Sequence, residues 1–369
     1  MSAPAPLDVA RIQADFPILK RQVHGKRLVY LDSASSSQKP QAVLDAMDRT
    51  YRESYANVHR GVYTIAEEAT AAFEAARGKV AGFVHAREPR EIVFTRNATE
   101  SINLVAYTWA RANLQAGDVI VLSHLEHHAN VVPWHILAAE RGVELRWIPL
   151  TADQRLDLTD LDRLLDGASL LAVTAMSNVV GTIVDIPFLV AAARAAGAHV
   201  LVDACQAVPQ IPVDVTAWDA DFVAFSSHKM LGPTGIGALW AKAELLEAMP
   251  PFLGGGEMIR DVTTEGFSTN DIPWKFEAGT PAIAEVVGMG AAIDYLQAIG
   301  LDAIHAHDVS QVVDEEGVCV RAGHHCAKPL MRVLGIPATT RASFGVYNDR
   351  ADADALVDAL VKAESFFAL

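Results

Sequence analysis

From about residue 90 onward, short unbroken apolar runs alternate with longer amphipathic stretches, and this alternation restricts the fold more than any other feature. The runs are EIVFT (Glu91–Thr95), DVIVLS (Asp118–Ser123), VELRWIPL (Val143–Leu150), SLLAVTAM (Ser169–Met176), HVLVDA (His199–Ala204), FVAFSS (Phe222–Ser227) and GALWA (Gly237–Ala241). Helical patterns separate them over Thr99–Leu114, Val131–Arg141, Thr159–Leu165 and Pro187–Ala196, the last opening with a proline suited to a first helical turn. Apolar runs this continuous fit strands covered on both faces. Strand–helix alternation therefore predicts an α/β architecture with a mainly parallel sheet. The composition changes near Gly279–Pro281. A helical stretch (Ile283–Ile299) then leads to two short strand-like runs, VCVRA and TTRASFGVY, which predicts a second, smaller domain.

In a sheet of this kind a ligand sits beyond the carboxyl ends of the strands. The residues just after the runs are polar there: Asn97, Thr99, His127, His128, Asn178, Asp203, Gln206, Ser226, His228 and Lys229. Lys229 follows a core strand and precedes a glycine-rich turn in SSHKMLGPTGIG. It reads either as a surface lysine or as an amine placed for an imine with an aldehyde cofactor. Ser226 and His228 beside it suit a phosphate. Asp203 ends a core run, where a carboxylate needs a cationic or hydrogen-bonding partner. A protonated pyridine nitrogen would serve, and so would a helix terminus capped by the side chain. Gln206 and Asn178 suit a ring oxygen. Thr99 opens a helix, a phosphate site or simply a cap.

His127 and His128 lack the i, i+4 spacing of zinc enzymes, which favours a ring stacked on a flat cofactor for His127 over a metal ligand or a core histidine. Cys326, in RAGHHCAKP, has two histidines, Arg321 and Lys328 nearby, a cationic setting of the kind that activates thiols. A small buried residue is the plain alternative. Cys319, His324, His325 and Cys326 carry metal-ligating atoms, but their spacing fits no zinc pattern, so no metal is expected. Arg341 suits a bidentate clamp on an amino-acid carboxylate or an ordinary salt bridge.

Composition narrows the function classes. Lys plus Arg number 30 against 45 Asp plus Glu, a net charge of −15, which argues against a partner with a phosphate backbone or an anionic membrane. Three cysteines (Cys205, Cys319, Cys326) make no disulfide framework and read as reduced thiols. The N-terminal MSAPAPLDVARIQADF does not read as a secretory signal, and no apolar run approaches the ~20 residues of a membrane span. A cytoplasmic enzyme is the expectation.

A series of motifs spanning nearly the whole chain resembles the pyridoxal-phosphate-dependent cysteine desulfurases of the SufS type (group II), in the fold-type I aminotransferase superfamily. The motifs are YLDSASSSQKP, NVHRGVY, RNATESINLVA, LEHHANVVPW, SNVVGT, VDACQAVPQ, SSHKMLGPTGIG, GGGEMI, EAGTP, RAGHHCAKPLM and RASFGVYN. The resemblance implies a three-layer fold, with a large cofactor-binding domain over residues 25–285 and a small α+β domain from 1–24 and 286–369. It implies pyridoxal 5'-phosphate carried on Lys229. Asp203 would meet the pyridine nitrogen, Gln206 and Asn178 the phenolic oxygen, and His127 the ring face. Ala98, Thr99, Ser226 and His228 would hold the phosphate, joined across a homodimer by Gly279 and Thr280. Arg341, Asn178, His59, Arg60 and Arg321 would bind substrate. With Lys229, Cys326 and His127 catalytic, L-cysteine would become L-alanine while Cys326 takes the sulfur as a persulfide. That sulfur would pass to a SufE- or SufU-like acceptor for iron–sulfur cluster assembly. Related readings are a selenocysteine lyase, an aminotransferase or epimerase that needs no thiol, and a degenerate binding protein.

The last alternative arises from one departure. Between AIHAH (Ala303–His307) and DVSQVVDEEG (Asp308–Gly317) the family has several dozen further residues, and here the flanks are fused. The remaining small sheet is expected to have exposed edges. The cofactor residues lie upstream of this point, and Cys326 and Arg341 downstream.

Overall fold

The computed structural model describes residues 7–312 and 321–367. The seven apolar runs form one sheet: β1 (Ile92–Thr95), β2 (Val119–Ser123), β3 (Glu144–Ile148), β4 (Ala168–Thr174), β5 (His199–Asp203), β6 (Phe222–Ser226) and β7 (Gly237–Ala241). Their spatial order is β1-β7-β6-β5-β4-β2-β3. Strands β2 to β6 pair in parallel, whereas β7 runs antiparallel to both β6 and β1. The reversal has a local cause. A parallel return needs a crossover of a dozen or more residues, and the link from Ser226 to Gly237 is shorter than that.

Although the runs look uniformly apolar, successive residues serve opposite faces. Val121, Leu171, Val173, Val200, Val202, Val223 and Phe225 belong to one core. Ile120, Leu122, Leu170, Ala172, Leu201, Phe222 and Ala224 belong to the other. Both faces are therefore covered, which gives the three-layer arrangement and explains the absence of polar alternation in the strands other than the edge strand β3, whose Glu144 and Arg146 alternate with apolar residues. On the first side, the helix Ile283–Ile299 packs against two helices near the N-terminus, Gln41–Glu53 and Thr64–Phe83. No single helix among the described residues is long and apolar enough to cross a membrane; Ile283–Ile299 is bent by 72° from Leu301–His307.

The helix expected at Thr99–Leu114 is helical throughout but not uniform: Ala98–Val105 is α, Ala106–Ala110 is π, and Arg111–Asn113 is α again. Thr99 does not open it. Asn97 is the cap, its side chain accepting from Glu100 N. The cap reading of Asp203 also fails, because turns rather than a helix follow β5. Downstream, the proposed fusion point at His307–Asp308 lies within one helix, Leu301–Val312. Strands β8 (Arg321–Gly323) and β9 (Thr339–Arg341) then make a separate two-stranded antiparallel sheet. A parallel bridge from Asp32 to Ser343 ties this part back to the N-terminal segment.

Candidate active site

Beyond the carboxyl ends of the central strands lies a cavity of about 230 Å³. On its cofactor side it is lined by Ala98, Thr99, His127, Asp203, Ser226, His228 and Lys229. Asn178, Arg321, Cys326 and Arg341 line the other side. Sheet topology accounts for the first group. Thr99 follows β1, His127 follows β2, Asp203 ends β5, and Ser226 ends β6 just before Lys229. Gly237, at the start of β7, allows the close approach: a Cβ there would stand 2.7 Å from Asn97 Cα and 2.8 Å from Phe225 O. The N-terminus of the helix at Ala98 is thereby pressed against β6, and Ala98 N donates to Ser226 Oγ at 2.8 Å.

The electrostatics of this side suit pyridoxal phosphate on two observations. Among the described residues, no side chain pairs with the Lys229 amine, so it faces the cavity free. Asp203 is 4% exposed; its Oδ1 accepts from Cys205 N at 3.0 Å, the Cys205 thiol is a further hydrogen-bonding neighbour, and no cationic side chain pairs with the carboxylate among the described residues. A free amine and a buried carboxylate without a cationic partner are what an aldehyde and a pyridinium require. His127 is held neutral, its pKa pushed down to about 4 by burial and then by the Lys229 charge. Ala129 N donates to its Nδ1 at 3.1 Å, so the proton resides on Nε2. Burial, then Lys229 and Lys39, likewise push His228 down to about 4. The His228–Lys229 peptide is itself anchored: the His228 carbonyl accepts from Ser37 N at 3.0 Å and from Lys39 Nζ at 3.1 Å.

The opposite side is built differently. Cys326 is half-buried, with φ of 54° after His325 at 48°. Asn178 Nδ2 donates to His325 O at 2.8 Å, and Asn178 O accepts from Arg341 Nη1 at 2.6 Å. Arg341, 8% exposed, also donates through Nη2 to Asp32 Oδ1 (3.1 Å) and Ser35 Oγ (2.7 Å), leaving its buried Nε without a partner. Burial lowers its pKa. Arg321 Nε stands 3.5 Å from Asp32 Oδ2, so one carboxylate serves both arginines. No cluster of metal-ligating residues occurs among the described residues, and Cys319 lies outside them.

Five expected site residues are not in this cavity. Gln206 lies behind it, its Nε2 donating to Ala34 O at 2.8 Å. Gly279 and Thr280 line a separate depression with Phe94 and Phe276. Glu277, beside them, is gripped by the buried Arg77 at 2.7 and 2.8 Å. His59 stands 2.8 Å from Glu74 and 3.3 Å from Glu257, and Arg60 stands 3.2 Å from Glu257. Conversely, Ala34, Ser35 and Ala129 line the cavity with no signal in the sequence reading, and Asn97, Cys205 and His325, named there, line it without an expected role in cofactor or substrate binding. Asp32 was also missed, although it stands in the YLDSAS motif. So was Glu126, in LEHHAN. Glu126 is 1% exposed and accepts from Ser123 Oγ (2.5 Å), Asn130 Nδ2 (2.7 Å) and Thr174 N (2.9 Å). Burial, with Asp203 adding, pushes its carboxyl up to about 8 against those donors.

Comparison with known proteins agrees with this geometry. The family model described as aminotransferase class-V matches residues 29–308 and 301–356, so the match divides at 301–308. A probable cysteine desulfurase of Streptomyces coelicolor is 47% identical, covering 99% of each chain. A cysteine desulfurase of Yersinia pseudotuberculosis is also 47% identical, over 96% of this chain and 98% of its own. Among solved structures, the cysteine desulfurase CsdA from Escherichia coli superposes with a TM-score of 0.90 at 39% identity, over 98% of this chain and 100% of its own. A cysteine desulfurase from Thermococcus onnurineus gives 0.89 at 34%, covering all of both chains. The alignment with the Streptomyces protein has 413 positions against the 369 residues here, so at least 44 of them hold residues of the relative alone.

Proposed function

This chain belongs to the aminotransferase class-V family, and on that premise we propose which of its residues bind, orient and react. It is a pyridoxal 5'-phosphate-dependent cysteine desulfurase, converting L-cysteine to L-alanine. The observation that carries the assignment of residues is the Lys229 amine and the buried Asp203 carboxylate, neither paired with an opposite charge, in one cavity with Cys326. When bound, the cofactor withdraws electrons from the substrate carbon joined to it, which weakens the bonds there.

The chain's own groups supply the rest. Lys229 holds the cofactor aldehyde, and Asp203 keeps a proton on the pyridine nitrogen. The neutral His127 ring covers one face. The N–H of Thr99, the Thr99 and Ser226 hydroxyls and His228 take the phosphate. Arg341 and Arg321 meet the substrate carboxylate, with Asn178 between them and the cofactor side. The Lys229 amine, lining the cavity, would also take the substrate α-proton and return protons to the carbon skeleton. The Cys326 thiolate attacks the substrate sulfur. An S–S bond forms as the C–S bond breaks, the bonding pair stays with the carbon skeleton, and protonation completes alanine. Attack requires the sulfurs to approach within about 3–3.5 Å.

Residues 25–285 form the cofactor-binding domain in this reading, and 1–24 with 286–369 the smaller one. Gly279, Thr280, His59 and Arg60, remote from this chain's own cavity, serve a partner subunit's cavity in a homodimer. Gln206 supports the ring-oxygen side from behind by holding the Ala34 carbonyl, and Asn178 faces the cavity itself. The RAGHHCA loop and GGGEM segment favour the SufS type, with a SufE- or SufU-like acceptor, a cytoplasmic setting and a role in iron–sulfur cluster assembly. Supplying L-cysteine with and without a thiol reductant tests this. Alanine and protein-bound sulfane sulfur should appear together, with turnover depending on reductant; alanine without bound sulfur would refute the role of Cys326.

A further inference from the structure

Two consecutive non-glycine residues, His325 and Cys326, occupy the left-handed region, which L-residues avoid unless the surroundings hold them there. Asn178 and Thr339 hold His325, each at 2.8 Å, and the contacts that hold Cys326 and the residues after it come from His128. Its backbone N–H donates to Cys326 O at 2.7 Å, and its ring Nε2 accepts from Lys328 N at 3.0 Å, so one residue grips the loop on both sides of the thiol. Within the loop, Ala327 N donates to His324 O at 2.8 Å. His128 stands at the start of the short turn after β2, directly beside His127. The position matters because β8 and β9 make a two-stranded sheet separate from the central one, so the loop is held by such contacts.

We propose that His128 is a positioning residue that latches the Cys326 loop to the cofactor domain, and that protonation of its Nε2 opens the latch. The inference rests on Cys326 being the sulfur acceptor. Nε2 can accept from Lys328 N only while it carries no proton. The titratable groups facing the ring are His324, with ring centres 5.8 Å apart, His127 at 6.2 Å, and Lys328. Burial, then His324 and Lys328, lower the pKa of the ring, so the latch stays closed near neutrality and opens on acidification. Cofactor contacts do not pass through this ring, so opening lowers sulfur transfer and leaves cofactor binding in place.

The test uses the holoenzyme, with His128→Leu and His128→Gln, from about pH 5 to about pH 8, a window that extends below the ordinary histidine pKa because burial lowers this one. Two quantities are read: the rate of iodoacetamide alkylation at Cys326, located by peptide mass, and sulfane sulfur formed per bound cofactor. His128→Leu should cut sulfane sulfur about tenfold or more at high pH, with the gap to wild type narrowing as pH falls, and change the alkylation rate, with the visible cofactor band unaltered. His128→Gln, whose Oε1 accepts but does not titrate, should recover at least about a third of the wild-type value at high pH and flatten the acid-side fall relative to wild type. Superimposable pH profiles for wild type and His128→Gln overturn the proposal. So does a His128→Leu protein that forms sulfane sulfur at the wild-type rate. If His128→Leu fails to fold, the comparison of wild type with His128→Gln decides alone. Sulfane sulfur persisting in Cys326→Ala would instead refute the acceptor role itself.

Discussion

The two sides of the cavity are made in contrasting ways. The cofactor side is assembled from residues at the ends of β1, β2, β5 and β6, backed by two cores whose side chains are almost fully buried. The thiol side hangs from a two-stranded sheet and a left-handed turn, and is fixed by hydrogen bonds to Asn178, His128 and Asp32. Groups on the first side inherit their positions from packing. Those on the second depend on a few polar contacts, each worth about 0.5–1.5 kcal/mol net. A scaffold of the first kind tolerates loss of a neighbouring segment better than the second, which is relevant in a chain lacking at least 44 positions that its Streptomyces relative has.

Substitutions can separate the two sides. Lys229→Ala should abolish the visible cofactor band and reduce alanine formation by about 10³-fold or more, since it removes both anchor and proton carrier; cofactor spectra and alanine assays check this. Cys326→Ala should keep the full cofactor band and form no protein-bound persulfide. Sulfide release from free cysteine at the wild-type rate would break the contrast. Arg341→Lys lies on the boundary. Losing the planar fork that engages Asp32, Ser35 and Asn178 should raise KM for L-cysteine about tenfold with a smaller change in kcat, as steady-state kinetics would show.

Gly237→Ala tests the rigid side without touching the cavity lining. Its Cβ would collide with backbone at Asn97 and Phe225, an overpacking cost of about 1–3 kcal/mol, and should displace the helix start at Ala98. Weaker cofactor affinity and a lower Tm are expected. The smallest effect concerns Glu126. Its folded carboxyl, pushed to about 8 from 4.5, holds its proton to higher pH than the unfolded chain does. The associated stability is complete below pH 4.5 and is lost as pH rises toward about 8. Melting curves should therefore show Glu126→Gln gaining on wild type over that interval. A constant difference would mean that the carboxyl is ionised throughout.

The same contrast explains what could be read from the amino-acid order. Strand positions fell within a residue or two of the apolar runs, because a doubly covered strand has no room for polar residues. The polar residues ending those runs did converge on one cavity. The antiparallel course of β7 was not read, since it depends on the length of the Ser226–Gly237 link rather than on composition. Thr99 was taken for the start of a helix that Asn97 caps, although asparagine before Ala-Thr-Glu is itself a capping signal. The helices Gln41–Glu53 and Thr64–Phe83 went unread in a segment without strand punctuation. Gln206 and Asp32 show a further limit. Which amide faces a ligand and which faces a carbonyl, or which aspartate joins two distant arginines, is decided by contacts across about 170 and 310 residues of chain, beyond the reach of local pattern.

Asp32 has a bearing on substrate choice. Two guanidinium groups share this resident anion, so about one positive charge is left uncompensated at that end of the cavity. A zwitterion with a neutral side chain satisfies it with its single carboxylate. Aspartate or glutamate would bring a second negative group that finds its natural counterion already engaged, so dicarboxylic amino acids are expected to bind more weakly than cysteine, by electroneutrality rather than by size.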